Sequence, residues 1–247
     1  MEERHLTKEE IDFYWENGYI LLKNIFPKED VDIMRKDMNE FANGFYTSYL
    51  NMHYYKNLKK AHTGKKLCDI ADSIFKNRAI PIGATAFFCK PNNPLENGSN
   101  WHQDNCNAHT PGDTYINIAL CIDFADETNG ALQVIPGSHK LGNLPAIRQP
   151  NFALDGQGRK YNKYPIGNPC EIPVNAKIKQ LRYESGDVMV LHALTIHKAE
   201  KNLHPTRWRR AMYFMYNEEN QPFWPGWTAK RGLLDRYDSP NYNLETE

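Results

Sequence analysis

The chain has 247 residues, 40% hydrophobic and 24% charged, enough to bury a full core as one large domain. Lys+Arg and Asp+Glu stand at 30 each, which argues against nucleic acid or an anionic membrane surface as partner. Met1-Glu-Glu-Arg-His5 is charged where a signal peptide needs an apolar run, and five scattered cysteines form no CxxC, so a cytoplasmic protein with reduced thiols is expected.

Thr7-Lys-Glu-Glu10 reads as a capping box opening a short helix with Ile11, Tyr14 and Trp15 on its apolar face and Gly18 at its end. Tyr19 to Leu22 follows as a strand. Pro27 opens a second helix, where Val31, Met34, Met38 and Phe41 recur at helical spacing. Residues 45–75 are polar and basic, with helix around Leu67, Ile70 and Ile74. From Ala79 the pattern turns to strands: 80–90, Tyr115 to Ile122, Ala131 to Ile135, Ile172 to Val174, Ile178 to Tyr183, Val188 to Leu191 and Ala211 to Tyr216. Short strands at this density after a helical start predict a mainly β fold with flanking helices, a jelly-roll or barrel with the N-terminal helices on one face. One domain over 1–247 is expected, with a helical flank (1–78), a jelly-roll core (79–217) and a C-terminal tail (218–247).

The chemistry centres on Trp101-His102-Gln103-Asp104-Asn105. In an extended segment His102 and Asp104 project to the same side, supplying two thirds of the 2-His-1-carboxylate platform for non-haem Fe(II). The pair alone is a weak signal and needs a third ligand. His192 and His197, after the Gly186-Asp187 turn, are the candidates. Five residues apart, they face opposite sides of a straight strand, so at most one reaches the metal. In the strand after Arg207-Trp-Arg209-Arg210, alternation puts Arg209, Ala211, Tyr213 and Met215 on one face. A guanidinium aimed into a barrel needs an anion, and its fork matches the carboxylate of a dicarboxylic co-substrate.

These stretches together resemble the phytanoyl-CoA dioxygenase family of Fe(II)/2-oxoglutarate oxygenases. The resemblance rests on Lys90-Pro91, Trp-His102-Gln-Asp104, Asn129-Gly130-Ala-Leu, Ile135-Pro-Gly-Ser-His139-Lys, Gly186-Asp187, His192 through His197, Asn202 and Arg209-Arg-Ala. It implies a double-stranded β-helix, with His102, Asp104 and His197 as iron ligands and Arg209 on the distal carboxylate of 2-oxoglutarate. It also implies O2 as oxidant, with release of succinate and CO2. Two departures stand out: Ala119 where relatives often have Trp, and Lys198-Ala199 where they usually have Gly-Ser.

The expected activity is hydroxylation of a small molecule, since an Asp at 104 fills the position a halide would take, and no protein partner is implied. Asn117 and Lys90 are further candidates toward the co-substrate. Gln103 and Asn105 flank the ligands as candidate supporting or substrate contacts. The segment from Leu141 to Pro169 is too long and unpatterned for an ordinary connection. It is expected to cover the site and touch substrate through Phe152, Arg159 or Tyr161. The alternative function is a cupin-like isomerase, or a metal- or ligand-binding module without catalysis. Cupin-like sites of that kind usually carry a fourth protein ligand.

Overall fold

The computed structural model describes residues 3–42, 47–49, 55–92, 98–104, 114–146, 153–154, 160–161, 169–222 and 232–244, with backbone alone at 41–42, 47–49, 84–88, 153–154 and 160–161. In chain order the elements are α1 (Lys8–Asn17), β1 (Tyr19–Leu22), α2 (Lys28–Ala42), β2 (Thr47–Tyr49), α3 (Lys56–Thr63), α4 (Lys65–Phe75), β3 (Ala79–Cys89), β4 (Tyr115–Cys121) and β5 (Leu132–Val134). They continue with a 3-10 turn (Ser138–Leu141), β6 (Ala153–Leu154), β7 (Lys160–Tyr161), β8 (Lys179–Gln180), β9 (Val188–His192), β10 (His197–Ala199) and β11 (Arg209–Glu218).

The helix signals in the sequence act as the physics requires. Thr7 Oγ1 accepts the Glu10 backbone N–H at 3.2 Å, and Glu10 accepts the Thr7 N–H at 2.9 Å, so two otherwise orphaned donors of α1 are satisfied. Gly18 ends the helix at φ 77°, where a Cβ would sit 2.3 Å from Thr195 Oγ1, so both conformation and space call for glycine.

Six antiparallel strands form the major sheet in the order β1-β9-β4-β11-β3-β2; β10-β5-β8 form a smaller sheet, and β6 pairs with β7. Alternation divides the major sheet into two faces. Ile116, Ile118, Leu120, Val190, Met212 and Phe214 point outward and are buried against Tyr14, Val31, Met38, Leu67 and Ile70 of the helical layer. Burying each large apolar side chain contributes about 1.5–3 kcal/mol, so this layer anchors the sheet. Ala119, Cys121, Met189, Leu191, Ala211 and Tyr213 point inward, onto Leu132, Val134 and Ala199 of the smaller sheet and Leu181 and Tyr183 beside it. The architecture is the expected jelly-roll with its N-terminal helical layer.

One predicted strand is absent. Ile172 to Val174 forms no ladder: Pro173 has no N–H to donate, Asn175 turns the chain at φ 64°, and Val174 is 91% exposed. Pro81 lies inside β3 where the register with β11 slips between Met215 and Tyr216, an irregularity of the kind that accommodates a proline in a strand. Near the C-terminus Arg236 is fully buried. Its guanidinium forks onto Asp72 through two bonds of 2.8 Å and donates to the Ala79 carbonyl, which ties 232–244 to α4 and β3. Among the described residues no helix is long and apolar enough to cross a membrane.

Candidate metal centre

The candidate site lies along β10 of the smaller sheet. His102 and His197 form an antiparallel bridge, each donating its backbone N–H to the other's carbonyl at 3.0 Å, with ring centroids 4.3 Å apart. Nδ1 of His102 lies 2.7 Å from the Asn100 carbonyl, and Nδ1 of His197 lies 2.9 Å from the Thr195 carbonyl. A carbonyl can only accept, so Nδ1 carries the hydrogen in both rings and a neutral ring keeps its lone pair on Nε2. Asp104 Oδ1 stands 3.5 Å from His102 Nε2 and 3.6 Å from His197 Nε2. The three donor atoms lie within 4.8 Å of one another. Both carboxylate–imidazole separations are shorter than two metal–ligand bonds of about 2.1 Å end to end, as donors that share one ion must be.

The charges of the cluster are coupled. Burial alone would push the Asp104 carboxyl up, but His197, His102 and the Asn117 amide more than reverse this and hold it well below the usual carboxylate range. Burial also lowers His102, yet its bond to Asp104 brings it above the ordinary imidazole value. Burial and the neighbouring His102 bring His197 down to about 4. The carboxylate is thus ionised and one ring is neutral, a donor set of mixed nitrogen and oxygen suited to a divalent transition metal.

His192 is held elsewhere. β9 ends at His192 and a turn carries the chain to β10, so the two histidines sit in different sheets rather than on one straight strand. The His192 ring packs with Tyr14, Trp15 and His139 on the helical side, and its Nδ1 accepts the Leu194 N–H at 3.1 Å.

Gln103 is fully buried and ties backbone together. It donates to the carbonyls of Gly142 (2.9 Å) and Leu194 (2.8 Å) and accepts from Leu144 N–H (2.8 Å). The side chain between His102 and Asp104 therefore clamps their loop to the His197 turn and to the start of 141–169. The far stem of that segment closes on the same place: Cys170 bridges Ala146 and donates to the Trp101 carbonyl at 3.0 Å. Asn117, buried on β4, donates to Asp104 Oδ2. Lys90 is exposed. Asn105, Phe152 and Arg159 lie outside the described residues, and Tyr161 is described in backbone only.

Arg209 and Arg210 separate by strand parity, and Arg207 precedes the strand. Arg209 is 3% exposed on the inner face, and its Nε donates to the Asn129 carbonyl at 3.1 Å. The Tyr183 phenol is hydrogen-bonded to the same guanidinium, and burial raises that phenol's pKa. Arg210, on the outer face, forks onto Asp123 at 2.6 and 2.9 Å, and Arg207 reaches Asp126 at 3.2 Å. Their charges are already paired on the protein.

Sequence reasoning did not assign the supports of this site. Asn129 is fully buried, bonds Phe124, Trp208 and Asp126, and its own carbonyl holds Arg209. Gly130, at φ 80°, lets Glu200 approach where a Cβ would stand 2.3 Å from its carbonyl oxygen. Ser138 accepts the Ile196 N–H at 2.8 Å, and Thr195 donates to the Gly18 carbonyl at 2.6 Å, fixing the turn that presents His197. The Asn-Gly and Pro-Gly-Ser turn signals mark these places without naming their partners.

Residues 14–211 match the sequence profile of the phytanoyl-CoA dioxygenase family. The chain belongs to this family. It is similar to phytanoyl-CoA dioxygenase 1 of Oryza sativa subsp. japonica, 24% identical over 81% of this chain and 85% of that protein. The ectoine dioxygenase of Bordetella bronchiseptica is 22% identical over 94% of this chain and 80% of its own. Among solved structures, the epimerase SnoN of nogalamycin biosynthesis, in complex with Fe3+, alpha ketoglutarate and nogalamycin RO, superposes with a TM-score of 0.69. Its identity is 12%, covering 87% of this chain and 85% of that one, and the likeness is one of fold. Family membership makes this phytanoyl-CoA dioxygenase relative an iron- and 2-oxoglutarate-dependent oxygenase.

Proposed function

We propose that the chain hydroxylates a small organic molecule, with His102, Asp104 and His197 as the ligands of iron and Arg209 as the grip on the distal carboxylate of 2-oxoglutarate. The observation that carries this is the convergence of three donor atoms within 4.8 Å, with both imidazoles tethered through Nδ1 so that Nε2 faces the shared point. Three protein ligands leave three positions for co-substrate and oxygen. Bound iron would supply oxidative decarboxylation of 2-oxoglutarate to succinate and CO2, with one oxygen atom of O2 delivered to substrate. The chain's residues do the rest: Arg209 orients the co-substrate, and inward-facing Leu191, Ala119, Tyr183 and Tyr213 wall it from water. The carboxylate at 104 supports hydroxylation, because it occupies the place a halide would need.

A fold shared with an epimerase does not fix the outcome, so the product must be weighed. Purified chain with Fe(II), 2-oxoglutarate and ascorbate should convert one member of a metabolite library to a product heavier by one oxygen. 2-Oxoglutarate consumption with a product of unchanged mass would replace hydroxylation with epimerisation, and loss of two hydrogens would indicate desaturation or ring closure.

A further inference from the structure

The three donors are not held alike. His102 and His197 are fastened to each other through the backbone, and each ring is tethered to a carbonyl two residues earlier. Asp104 lies two residues beyond that bridge, and its side chain reaches across to the major sheet. There Oδ2 accepts from the Asn117 amide, while Oδ1 faces the two Nε2 atoms. Only the N–H end of an amide can face a carboxylate, which leaves Asn117 Oδ1 to accept the Tyr115 O–H at 3.3 Å. Tyr115 and Asn117 sit two apart on the inner face of β4, both buried, in a strand paired on both edges. The carboxylate thus has one oxygen committed to a fixed neutral donor and one directed at the shared point.

We propose that Asn117, itself set by Tyr115, is a positioning residue that restricts Asp104 to binding metal through Oδ1 alone. This rests on the reading that His102, Asp104 and His197 hold a divalent metal. With Oδ2 held back, the carboxylate takes a single position, and three remain of six for co-substrate and O2. A carboxylate free to turn would claim a second. Being uncharged, the amide does this without drawing the carboxylate's charge into an ion pair, as a cation in its place would. The role differs from a contact with 2-oxoglutarate, which the sequence position alone equally suggests.

Cobalt tests this without turnover, because the visible spectrum of bound Co(II) reports coordination number. Wild type, Asn117→Ala and Tyr115→Phe are titrated with Co(II) alone, with thermal unfolding followed alongside. Asn117→Ala should weaken Co(II) binding about 10–100-fold, as loss of a partner to a ligating group does, and should change the Co(II) bands. Tyr115→Phe keeps the ring in the core and should shift binding and bands the same way, by about threefold, as for one neutral hydrogen bond. It carries the test if the alanine variant does not fold. Wild-type affinity and bands in either folded variant would overturn the proposal. So would loss of 2-oxoglutarate binding by Asn117→Ala with Co(II) binding intact. A wild-type chain that binds no Co(II) would instead sink the metal-site reading, and the proposal with it.

Discussion

Replacing His197 with alanine should weaken Fe(II) binding by more than about 100-fold, beyond the 10–100-fold typical of losing a residue that only supports a ligand. His192→Ala should leave it near wild type. The two histidines are five residues apart and both buried, but their surroundings differ in kind. His197 presents Nε2 beside Asp104, with Nδ1 already tethered to Thr195. His192 spends Nδ1 on the Leu194 N–H and packs its ring under α1. Anaerobic titration of both variants decides the matter. Iron binding lost with His192 and kept without His197 would show the wrong histidine has been chosen.

Removing the guanidinium of Arg209 should cost about 2–5 kcal/mol of 2-oxoglutarate binding, as when one partner of a buried charge pair is lost. That is roughly thirtyfold to several thousandfold in Kd. Fe(II) affinity should hold, since none of the ligand bonds runs through Arg209. Arg210→Ala is the control: it breaks the fork onto Asp123 on the outer face and should leave co-substrate affinity alone. A large loss from Arg210→Ala with none from Arg209→Ala would mean the co-substrate lies on the other side of the sheet.

How far this was legible in the sequence depends on the range of the interaction. The capping box at Thr7 and the left-handed Gly18 are local devices, and they are in place. Strand alternation placed Arg209 inside and Arg210 outside, because a period of two carries through a ten-residue strand. The same rule was too simple for His192 and His197, since a turn between them moves the chain from one sheet to the other. Ile172 to Val174 has the composition of a strand but no partner and a proline in its middle. Arg236, in a stretch that reads as a tail, is buried by a carboxylate 164 residues away, and nothing near it in the chain signals that. Gln103 was singled out by its neighbours in sequence and Asn117 by its place on the next strand, yet Gln103 bonds residues 39 to 91 positions away and Asn117 reaches Asp104, 13 away.

Succinate formation from 2-oxoglutarate under air tests the account most directly. Protein loaded anaerobically with Fe(II), then given 2-oxoglutarate and O2, should release succinate and CO2, slowly alone and faster with substrate. The same preparation of Asp104→Ala or His197→Ala should release neither above the level of free iron. No succinate from iron-loaded wild type under either condition, or equal amounts from wild type and both variants, would contradict the assignment of this site.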